Sequence, residues 1–287
     1  MVKKLKVAIL GTGLMGSSAA KKLAEGGFSI ILWNRTIEKA KELSNKIKNS
    51  ETQNSPWNAV ENADVAITFV SDDNAFLNII SQMKRADGLL FINSSTITPN
   101  LSIIASQQLK DLGMCYVEAP IIGGPKNLEE GNATFMVAGE KHCIRFSRGL
   151  LSTMGSVIEL GDEQYKAIVS KLAYNSILIS SISILSESIA LLESYGIEKE
   201  KIKEITKNTA FSSIIDKYFD RIVNKNSPIH FKLSLAAKDL EYASRAAYDA
   251  GLAMPTINAA SQIFKQAELH GLGNKDYTRI YDFIKPK

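Results

Sequence analysis

The stretch VAILGTGLMGSSAAKKL, residues 7–23, decides the fold. An apolar run typical of a buried strand ends at Leu10, and three glycines follow at the start of an amphipathic segment. In a strand–turn–helix unit the first glycine permits a tight turn, the second admits a pyrophosphate, and the third lets helix and strand pack closely. The helix start also offers N–H groups and a positive dipole end to phosphates. We therefore expect a dinucleotide to contact this loop and the first helical turn, namely Gly11, Gly13, Leu14, Met15 and Gly16.

Short β-rich runs alternate with longer amphipathic ones along the amino-terminal half of the chain. The runs that predict strands are LKVAIL, SIILWN, DVAITFV, GLLFIN, MCYVEA, ATFMVAG and SVIEL. Between two of them, TPNLSIIASQQLKDLG predicts a helix that Thr98 caps, Pro99 starts and Gly113 ends. Continuous apolar strands that alternate with helices predict an α/β fold with a mainly parallel, doubly wound sheet. We place this domain at residues 1–162.

The strand signals stop after Gly161. Asp162 to Tyr195 contains no proline and no glycine, which predicts a single helix of roughly 30 residues, about 45 Å long. Such a helix is longer than usual and suits a bridge between domains or a subunit interface. The rest reads as helical, with breaks near Gly196, Pro228 and residues 251–255 and 271–273. We expect an all-helical domain at residues 163–287, joined to the first through the long helix.

Composition points to an ordinary soluble globular protein. Of 287 residues, 45% are hydrophobic and 22% are charged, and a net charge of +4 gives no sign of nucleic-acid binding. The first apolar run ends at Gly11, too early for a secretion signal. The most apolar later stretch, residues 177–192, is broken by serines and Glu187, so we expect no membrane span.

The cysteines and histidines match no metal-ligand spacing. We expect Cys115 and Cys143 to be free thiols in a reducing cytoplasm. His142, His230 and His270 are scattered, and no metal is expected.

The end of the second predicted strand bears on the choice of cofactor. An NAD site normally has an acidic residue here that binds the ribose 2′-hydroxyl. This chain has Asn34, Arg35 and Thr36 instead. A guanidinium and a hydroxyl can bind a 2′-phosphate that an acid would repel, so the sequence favours NADP(H). The alternative is that Arg35 is a surface charge that opens the next helix.

The segment FVSDDNAF, residues 69–76, follows the third predicted strand. Sheets of this kind bind ligands beyond the carboxyl ends of their strands. We therefore expect Val70 and Ser71 near the cofactor, while Asp72 and Asp73 could simply cap the next helix.

Five segments, in order, resemble the β-hydroxyacid dehydrogenase family of 3-hydroxyisobutyrate dehydrogenases, tartronate semialdehyde reductases and glyoxylate/succinic semialdehyde reductases. They are GLMG, INSSTITP, EAPIIGG, KLAYN and FKLSLAAKDL, and together they cover nearly the whole chain. The ending WNRT and the length look most like the NADPH-using glyoxylate/succinic semialdehyde reductase branch. The resemblance implies a Rossmann-type NADP-binding domain and a helical domain that closes over the substrate cleft.

The KLAYN segment carries the catalytic residues that the resemblance implies. Lys171 would be the general acid/base, protonating the alkoxide that forms when NADPH gives hydride to an aldehyde carbon. Asn175 lies four residues later, hence on the same helix face, and would help to hold the substrate. The alternative is a solvated surface lysine, because lysine is almost never buried unpaired.

The same resemblance assigns the remaining contacts. Thr96 would lie near the nicotinamide and the substrate. The loop of Ile122, Gly123 and Gly124 would bind the substrate, with the two glycine N–H groups receiving its carboxylate. From the helical domain, Lys238 would face the cofactor, and Phe231 and Asp239 would contact the substrate. For Asp239, a surface salt bridge is the alternative.

Three residues depart from the family pattern. Ile122 stands in place of a serine that binds the substrate carboxylate, Tyr174 replaces the first of two paired asparagines, and Asn93 replaces an aspartate in what we expect to be a structural role. The lost hydroxyl removes a hydrogen bond worth about 0.5–1.5 kcal/mol. A less polar or larger substrate than glyoxylate is compatible with this change.

The sequence thus predicts NADPH-dependent reduction of a small semialdehyde or 2-oxo acid to the hydroxy acid. One alternative is an imine reductase, although that group generally lacks the lysine of the KLAYN segment. A second is a non-catalytic NADPH-binding interaction protein, although such relatives have lost the lysine and carry extra domains. The face SILISSISILS, residues 176–186, could pack across a homodimer or within one chain, and we expect a homodimer or homotetramer.

Overall fold

The computed structural model describes residues 5–285. They form two compact units, and the boundary between these falls between Lys171 and Leu172. The predicted domain boundary at residue 162 lies before the long helix, whereas the unit boundary lies inside it. The predicted domains also begin at residue 1 and end at residue 287, which are outside the described residues.

The first unit contains nine strands among its described residues. They are β1 (Lys6–Leu10), β2 (Ser29–Trp33), β3 (Ser50–Thr52), β4 (Val65–Thr68), β5 (Leu90–Asn93), β6 (Cys115–Glu118), β7 (Ile121–Ile122), β8 (Ala133–Gly139) and β9 (Gly155–Glu159). The helices between them are α1 (Leu14–Glu25), α2 (Ile37–Ser44), α3 (Pro56–Val60), α4 (Asp73–Ile80), α5 (Pro99–Asp111), α6 (Pro125–Glu130) and α7 (Lys141–Leu151). Every predicted strand is present.

The strands form one sheet in the order β3-β2-β1-β4-β5-β6-β8-β7, with β9 beside β8. The first six strands pair in parallel. β8 runs antiparallel to β6 and to β7. The strand order reverses between β1 and β4, so the loops after these strands diverge and leave a crevice, where such folds bind ligands. The predicted Rossmann-type, doubly wound sheet is confirmed.

Continuous apolar strands form the core of this unit, because both faces of the sheet are covered by helices. Val7, Ile9, Ile67 and Ile92 are almost wholly buried in one cluster with the inner face of α1. Burying such a side chain contributes about 1.5–3 kcal/mol each. Neighbouring strands thereby keep a fixed register, which holds the loops at their carboxyl ends in place.

The prediction of free thiols is wrong. Cys115 at the start of β6 and Cys143 on α7 form a disulfide, with 5.5 Å between their Cα atoms. A separation of 28 residues gave no sequence signal for this pairing, which follows from α7 packing beside β6. Because the two cysteines are paired, they give no support to the prediction of a reducing compartment. His142 lies beside this pair, with ligand atoms within 4.8 Å of one another, but bonded sulfurs are not the thiolates that metals bind.

The second unit is helical throughout its described residues. The helix α8 (Tyr165–Ser194) begins before the unit boundary and continues past it. It is followed by α9 (Lys201–Thr206), α10 (Ser212–Val223), α11 (Leu233–Asp249), α12 (Pro255–Ala267), a π-helical turn (Glu268–Leu272), a 3-10 turn (Tyr277–Arg279) and α13 (Ile280–Ile284). Ile182, Phe219, Leu240 and Phe264 are buried in its core.

By length and composition α8 could cross a membrane, in contrast to the sequence prediction for residues 177–192. The core helix of a globular domain passes the same test. Of the apolar window in α8, 56% is buried inside the structure. Ile179, Ile182 and Ile189 lie on that buried side and belong to the helical core. Burial within the helical unit therefore accounts for this face of α8.

Candidate active site

The glycine loop connects β1 to α1 with two positions that only glycine can occupy. Gly11 has φ +108°, and a Cβ there would lie 2.3 Å from the carbonyl oxygen of Phe69. A Cβ at Gly16 would lie 1.9 Å from the carbonyl oxygen of Gly11. At Gly13 a Cβ would meet nothing within 4 Å, so the backbone there borders open space that a ligand can approach.

The start of α1 suits an anionic group. Gly13 is the N-cap residue and has no side chain to satisfy the first N–H groups, and the first turn contains no acidic residue. Leu14 is about half exposed and Met15 packs partly on the core. These features fit the diphosphate of a dinucleotide, which would accept hydrogen bonds from the helix start.

Asn34 joins the end of β2 to the glycine loop. Its Oδ1 accepts a hydrogen bond from the N–H of Thr12 at 3.1 Å, and its Nδ2 donates to the carbonyl of Thr36 at 2.9 Å. Arg35 and Thr36 are exposed beside it. This edge presents a guanidinium, a hydroxyl and an amide, with no acid among residues 34–36, which fits a phosphorylated ribose better than a free one.

Hydrogen bonds connect the loop after β4 to the loop after β5. The N–H of Val70 donates to Oγ of Ser95 at 2.9 Å, next to the half-buried Thr96. Asp72 caps α4 by accepting from the N–H of Ala75 at 2.9 Å. Asp73 instead accepts from the N–H of Thr98 at 2.9 Å and from its hydroxyl at 2.7 Å. Asp72 and Asp73 therefore shape the two loops that flank Thr96 and Ser71.

A buried polar network lies behind these loops. Glu118 is fully buried, and its carboxyl accepts hydrogen bonds from the Tyr116 hydroxyl and, at 2.8 Å, from Nδ2 of Asn93. Oδ1 of Asn93 accepts from the Thr68 hydroxyl at 2.7 Å and from the N–H of Ser95 at 3.0 Å. Burial raises the pKa of Glu118 to about 7, against the hydrogen bonds that lower it. Asn93 thus links a buried carboxyl to the loop that carries Thr96.

Lys171 is half-buried near the start of α8. Its Nζ donates a hydrogen bond of 2.6 Å to the carbonyl oxygen of Ile121 on β7. The lysine is therefore bound to β7, just before the Gly123–Gly124 loop, and is not a freely solvated side chain. The alternative of a wet surface lysine does not describe this geometry.

The loop of Ile122, Gly123 and Gly124 differs from the expectation in one contact. Gly123 has φ +125°, as a turn that favours glycine requires. The N–H of Gly124 already donates to Oδ1 of Asn127 on α6, at 2.9 Å. Asn127 was not predicted from the sequence; it is the third residue of α6, and its contact with the Gly124 N–H caps that helix.

Three of the other predicted residues, Asn175, Lys238 and Asp239, form a cluster in the second unit. Asn175 donates through Nδ2 to Oδ2 of Asp239, and both residues are at least 97% buried. Nζ of Lys238 lies 3.1 Å from Oδ1 of Asp239 and 4.9 Å from the ring centre of Tyr242. The alternative of a surface salt bridge at Asp239 is wrong, because this pair is desolvated.

Phe231 is placed by the loop before α11. Its ring packs edge-on against Tyr277 at 5.5 Å between centroids. Its N–H donates to Oδ2 of the buried Asp276 at 3.2 Å, and its carbonyl accepts from the N–H of Tyr277 at 2.8 Å. Asp276 also pairs with Arg221 at 3.2 Å. Asp276 was not selected from the sequence, since nothing local marks it as buried.

Known proteins match this chain along almost its whole length. Residues 6–161 match the NAD binding domain of 6-phosphogluconate dehydrogenase, and residues 166–284 match the NAD-binding family model of NADP-dependent 3-hydroxyisobutyrate dehydrogenase. An uncharacterized oxidoreductase of Bacillus subtilis, YfjR, is 27% identical over 98% of this chain and 100% of its own. Glyoxylate/succinic semialdehyde reductase 2 of Arabidopsis thaliana is 26% identical over 98% of this chain and 80% of its own.

A solved structure shows the same fold. The 3-hydroxyisobutyrate dehydrogenase of Mycobacterium tuberculosis, determined with L-serine, aligns with a TM-score of 0.83 at 21% identity over 99% of this chain and 100% of its own. The glycine loop, residues 34–36 after β2 and the two family models all indicate a protein that binds NAD(P). The chain is an NAD(P)-dependent oxidoreductase that belongs to the 3-hydroxyisobutyrate dehydrogenase family of β-hydroxyacid dehydrogenases.

Proposed function

We propose that this enzyme reduces small semialdehydes or 2-oxo acids to hydroxy acids with NADPH, and that Lys171 is its general acid/base. The observation that carries the proposal is the 2.6 Å hydrogen bond from Lys171 to the Ile121 carbonyl. It holds an ammonium group at the start of the loop that the family resemblance assigns to the substrate. Relatives such as the Arabidopsis reductase act on glyoxylate and succinic semialdehyde by name.

The proposed chemistry divides between the cofactor and the protein. NADPH, when bound, supplies the hydride. Lys171 would supply a proton to the oxygen of the reacting carbonyl and would stabilise the negative charge that develops there. Its contact with Ile121 holds the side chain in one direction before substrate arrives. The exposed Arg35 and Thr36 support a preference for the 2′-phosphate of NADPH. A cytoplasmic location and a homo-oligomer remain part of this proposal.

The first test is NADPH oxidation, followed at 340 nm, with glyoxylate and succinic semialdehyde. We expect turnover with NADPH to exceed turnover with NADH. Lys171→Ala should lower kcat by roughly 10² to 10⁴, the usual contribution of a positioned proton donor, while the Kd for NADPH stays within about twofold. The matched control is Lys166→Ala, which removes an exposed lysine of the same helix that forms an ion pair with Glu163. An unchanged kcat in Lys171→Ala, or no turnover of any aldehyde by protein that binds NADPH, would contradict the proposal.

A further inference from the structure

The Ser95 hydroxyl connects the loop after β5 to the loop after β4, which borders the crevice of the first unit. Its Oγ accepts a hydrogen bond of 2.9 Å from the N–H of Val70. The pairing of β4 with β5 ends at Thr68 and Asn93. This side-chain contact therefore continues the connection between the two segments beyond the end of the sheet. Ser95 is 3% exposed, so the contact is made in a largely desolvated position.

The Asn93 side chain fixes the backbone of Ser95 at two points. Its Oδ1 accepts from the N–H of Ser95 at 3.0 Å, and its Nδ2 donates to the carbonyl of Ser95 at 3.3 Å. Nδ2 also donates to the buried Glu118 carboxyl, and Oδ1 also accepts from the Thr68 hydroxyl. Asn93 is itself fully buried. Both backbone groups of Ser95 are thus bound by a rigidly held side chain, which restricts where the Ser95 hydroxyl can lie.

The segment that Ser95 holds lies directly against the glycine loop. A Cβ built on Gly11 would lie 2.3 Å from the carbonyl oxygen of Phe69 and 3.4 Å from Cγ1 of Val70. A Cβ built on Gly16 would lie 3.2 Å from Cβ of Phe69. Contacts this close exclude movement of Phe69 and Val70 toward the glycine loop. If the Ser95 hydrogen bond were lost, these residues could move only away from the loop, which would widen the space between the two.

The loops that Ser95 connects belong to one half of the sheet. In a doubly wound fold each half of the sheet, here β1–β3 and β4–β6, binds one mononucleotide of the cofactor. Residues 34–36, where we expect the ribose 2′-phosphate, follow β2 in the first half and are held by Asn34. The loops after β4 and β5 therefore belong to the half that takes the nicotinamide mononucleotide.

We infer that Ser95 is a positioning residue for the nicotinamide half of NADPH. Its hydroxyl sets the position of Val70 and Ser71, and its fixed backbone sets the position of Thr96, the next residue. The inference rests on the proposed NADPH-dependent function and adds the residue that orients the cofactor. It depends neither on the substrate nor on Lys171.

The test compares the binding of NADPH with that of adenosine 2′,5′-diphosphate, which is NADPH without its nicotinamide mononucleotide. Calorimetry gives both Kd values. Ser95→Ala should raise the Kd for NADPH about five- to tenfold, the effect of one lost hydrogen bond. The Kd for adenosine 2′,5′-diphosphate should stay within about twofold. The matched control is Ser147→Ala, which removes the hydroxyl of a buried serine on α7 that donates to the Ile144 carbonyl. It should leave both Kd values unchanged.

A conservative variant isolates the hydrogen bond from the rest of the side chain. Ser95→Thr keeps a hydroxyl that can accept from the Val70 N–H, so its Kd for NADPH should stay within about threefold of wild type. Both variants should fold, because Asp73 and Thr98 join the same two segments through two further hydrogen bonds. A threonine variant that binds NADPH as weakly as the alanine variant would count against the inference.

Two further outcomes would overturn the inference. Equal weakening of both ligands in Ser95→Ala would mean that Ser95 supports the whole cofactor site and not its nicotinamide half. An unchanged Kd for NADPH would mean that the hydroxyl positions nothing. Because these are binding measurements, they are independent of turnover. If no aldehyde is reduced, the proposed function fails, while the comparison of the two ligands still decides the role of Ser95.

Discussion

At the scale of single residues, the position of the loop after β2 depends on hydrogen bonds made by the Asn34 side chain. Asn34 replaces the acid of an NAD site, and its amide holds both Thr12 of the glycine loop and the carbonyl of Thr36. An aspartate could accept the first of these hydrogen bonds but could not donate the second. Asn34 therefore fixes the position of the glycine loop and leaves residues 34–36 without a negative charge.

Replacing Arg35 tests the predicted preference for NADPH over NADH. It is exposed at the end of β2, and a hydrogen bond to a charged phosphate is worth about 1.5–3 kcal/mol. Arg35→Ala should therefore raise the KM for NADPH by roughly tenfold or more and change the KM for NADH by less than twofold. The control is Arg145→Ala, which removes an exposed arginine on α7. Equal effects on the two cofactors would show that Arg35 is an ordinary surface charge.

At the scale of elements, the carboxyl ends of β4, β5 and β6 are joined by the buried network of Glu118, Asn93 and Thr68. Each of these side chains sits at or near the end of its strand, and the parallel register places them side by side. A buried carboxyl between three strands costs free energy whenever it is ionised, because desolvation disfavours the charged form.

This network gives the first unit a dependence of stability on pH. Burial raises the pKa of Glu118 from 4.5 to about 7, so the folded state keeps a proton that the unfolded state releases between these values. The free energy of unfolding should fall by about 3 kcal/mol from this group as the pH rises from 4.5 to above 7. Below pH 4.5 both states are protonated and the penalty is absent.

The variant Glu118→Gln should remove most of this decline, because glutamine resembles the neutral carboxyl and stays uncharged. The measurement is urea unfolding at pH 5 and pH 8, followed by the fluorescence of Trp33 and Trp57. The two tryptophans of the chain both belong to the first unit, so the signal reports that unit. An equal decline in wild type and variant would mean that Glu118 is ionised in the folded protein or that other groups dominate.

At the scale of the whole molecule, one surface of α8 remains apolar and exposed. Ile177, Ile184 and Leu191 repeat every seven residues and are 71%, 55% and 60% exposed, and Tyr195 extends the row at 79%. Residues at this spacing lie on one helix face and here span about 27 Å. We expect this row to pack against a second copy of the chain, because a contiguous apolar surface is rare on a monomer.

Sedimentation equilibrium can test this expectation. Ile184→Glu places a charge at the centre of the row and should lower the mass of the assembly to that of smaller species. Tyr248→Glu, a similar change at a residue 86% exposed on α11, should leave the mass unchanged. A monomeric wild-type protein, or an unaltered mass in Ile184→Glu, would contradict the expectation.

Local patterns alone determined the mainly parallel sheet, the helical second half and the glycine loop. These follow from periodicity, glycine spacing and the absence of helix breakers between Asp162 and Tyr195, all of which act within a few residues. The 30-residue helix α8 and the Thr98 cap of α5 were predictable for the same reason. The family motifs also selected Lys171, Asn175 and Asp239 by their order along the chain.

Only the tertiary structure decided which groups meet across long separations in sequence. Cys115 pairs with Cys143 because α7 packs beside β6. Glu118 meets Asn93 through strand register, and Lys171 reaches the Ile121 carbonyl 50 residues away. Burial, charge pairing and access depend on packing between distant segments, and no local pattern encodes them.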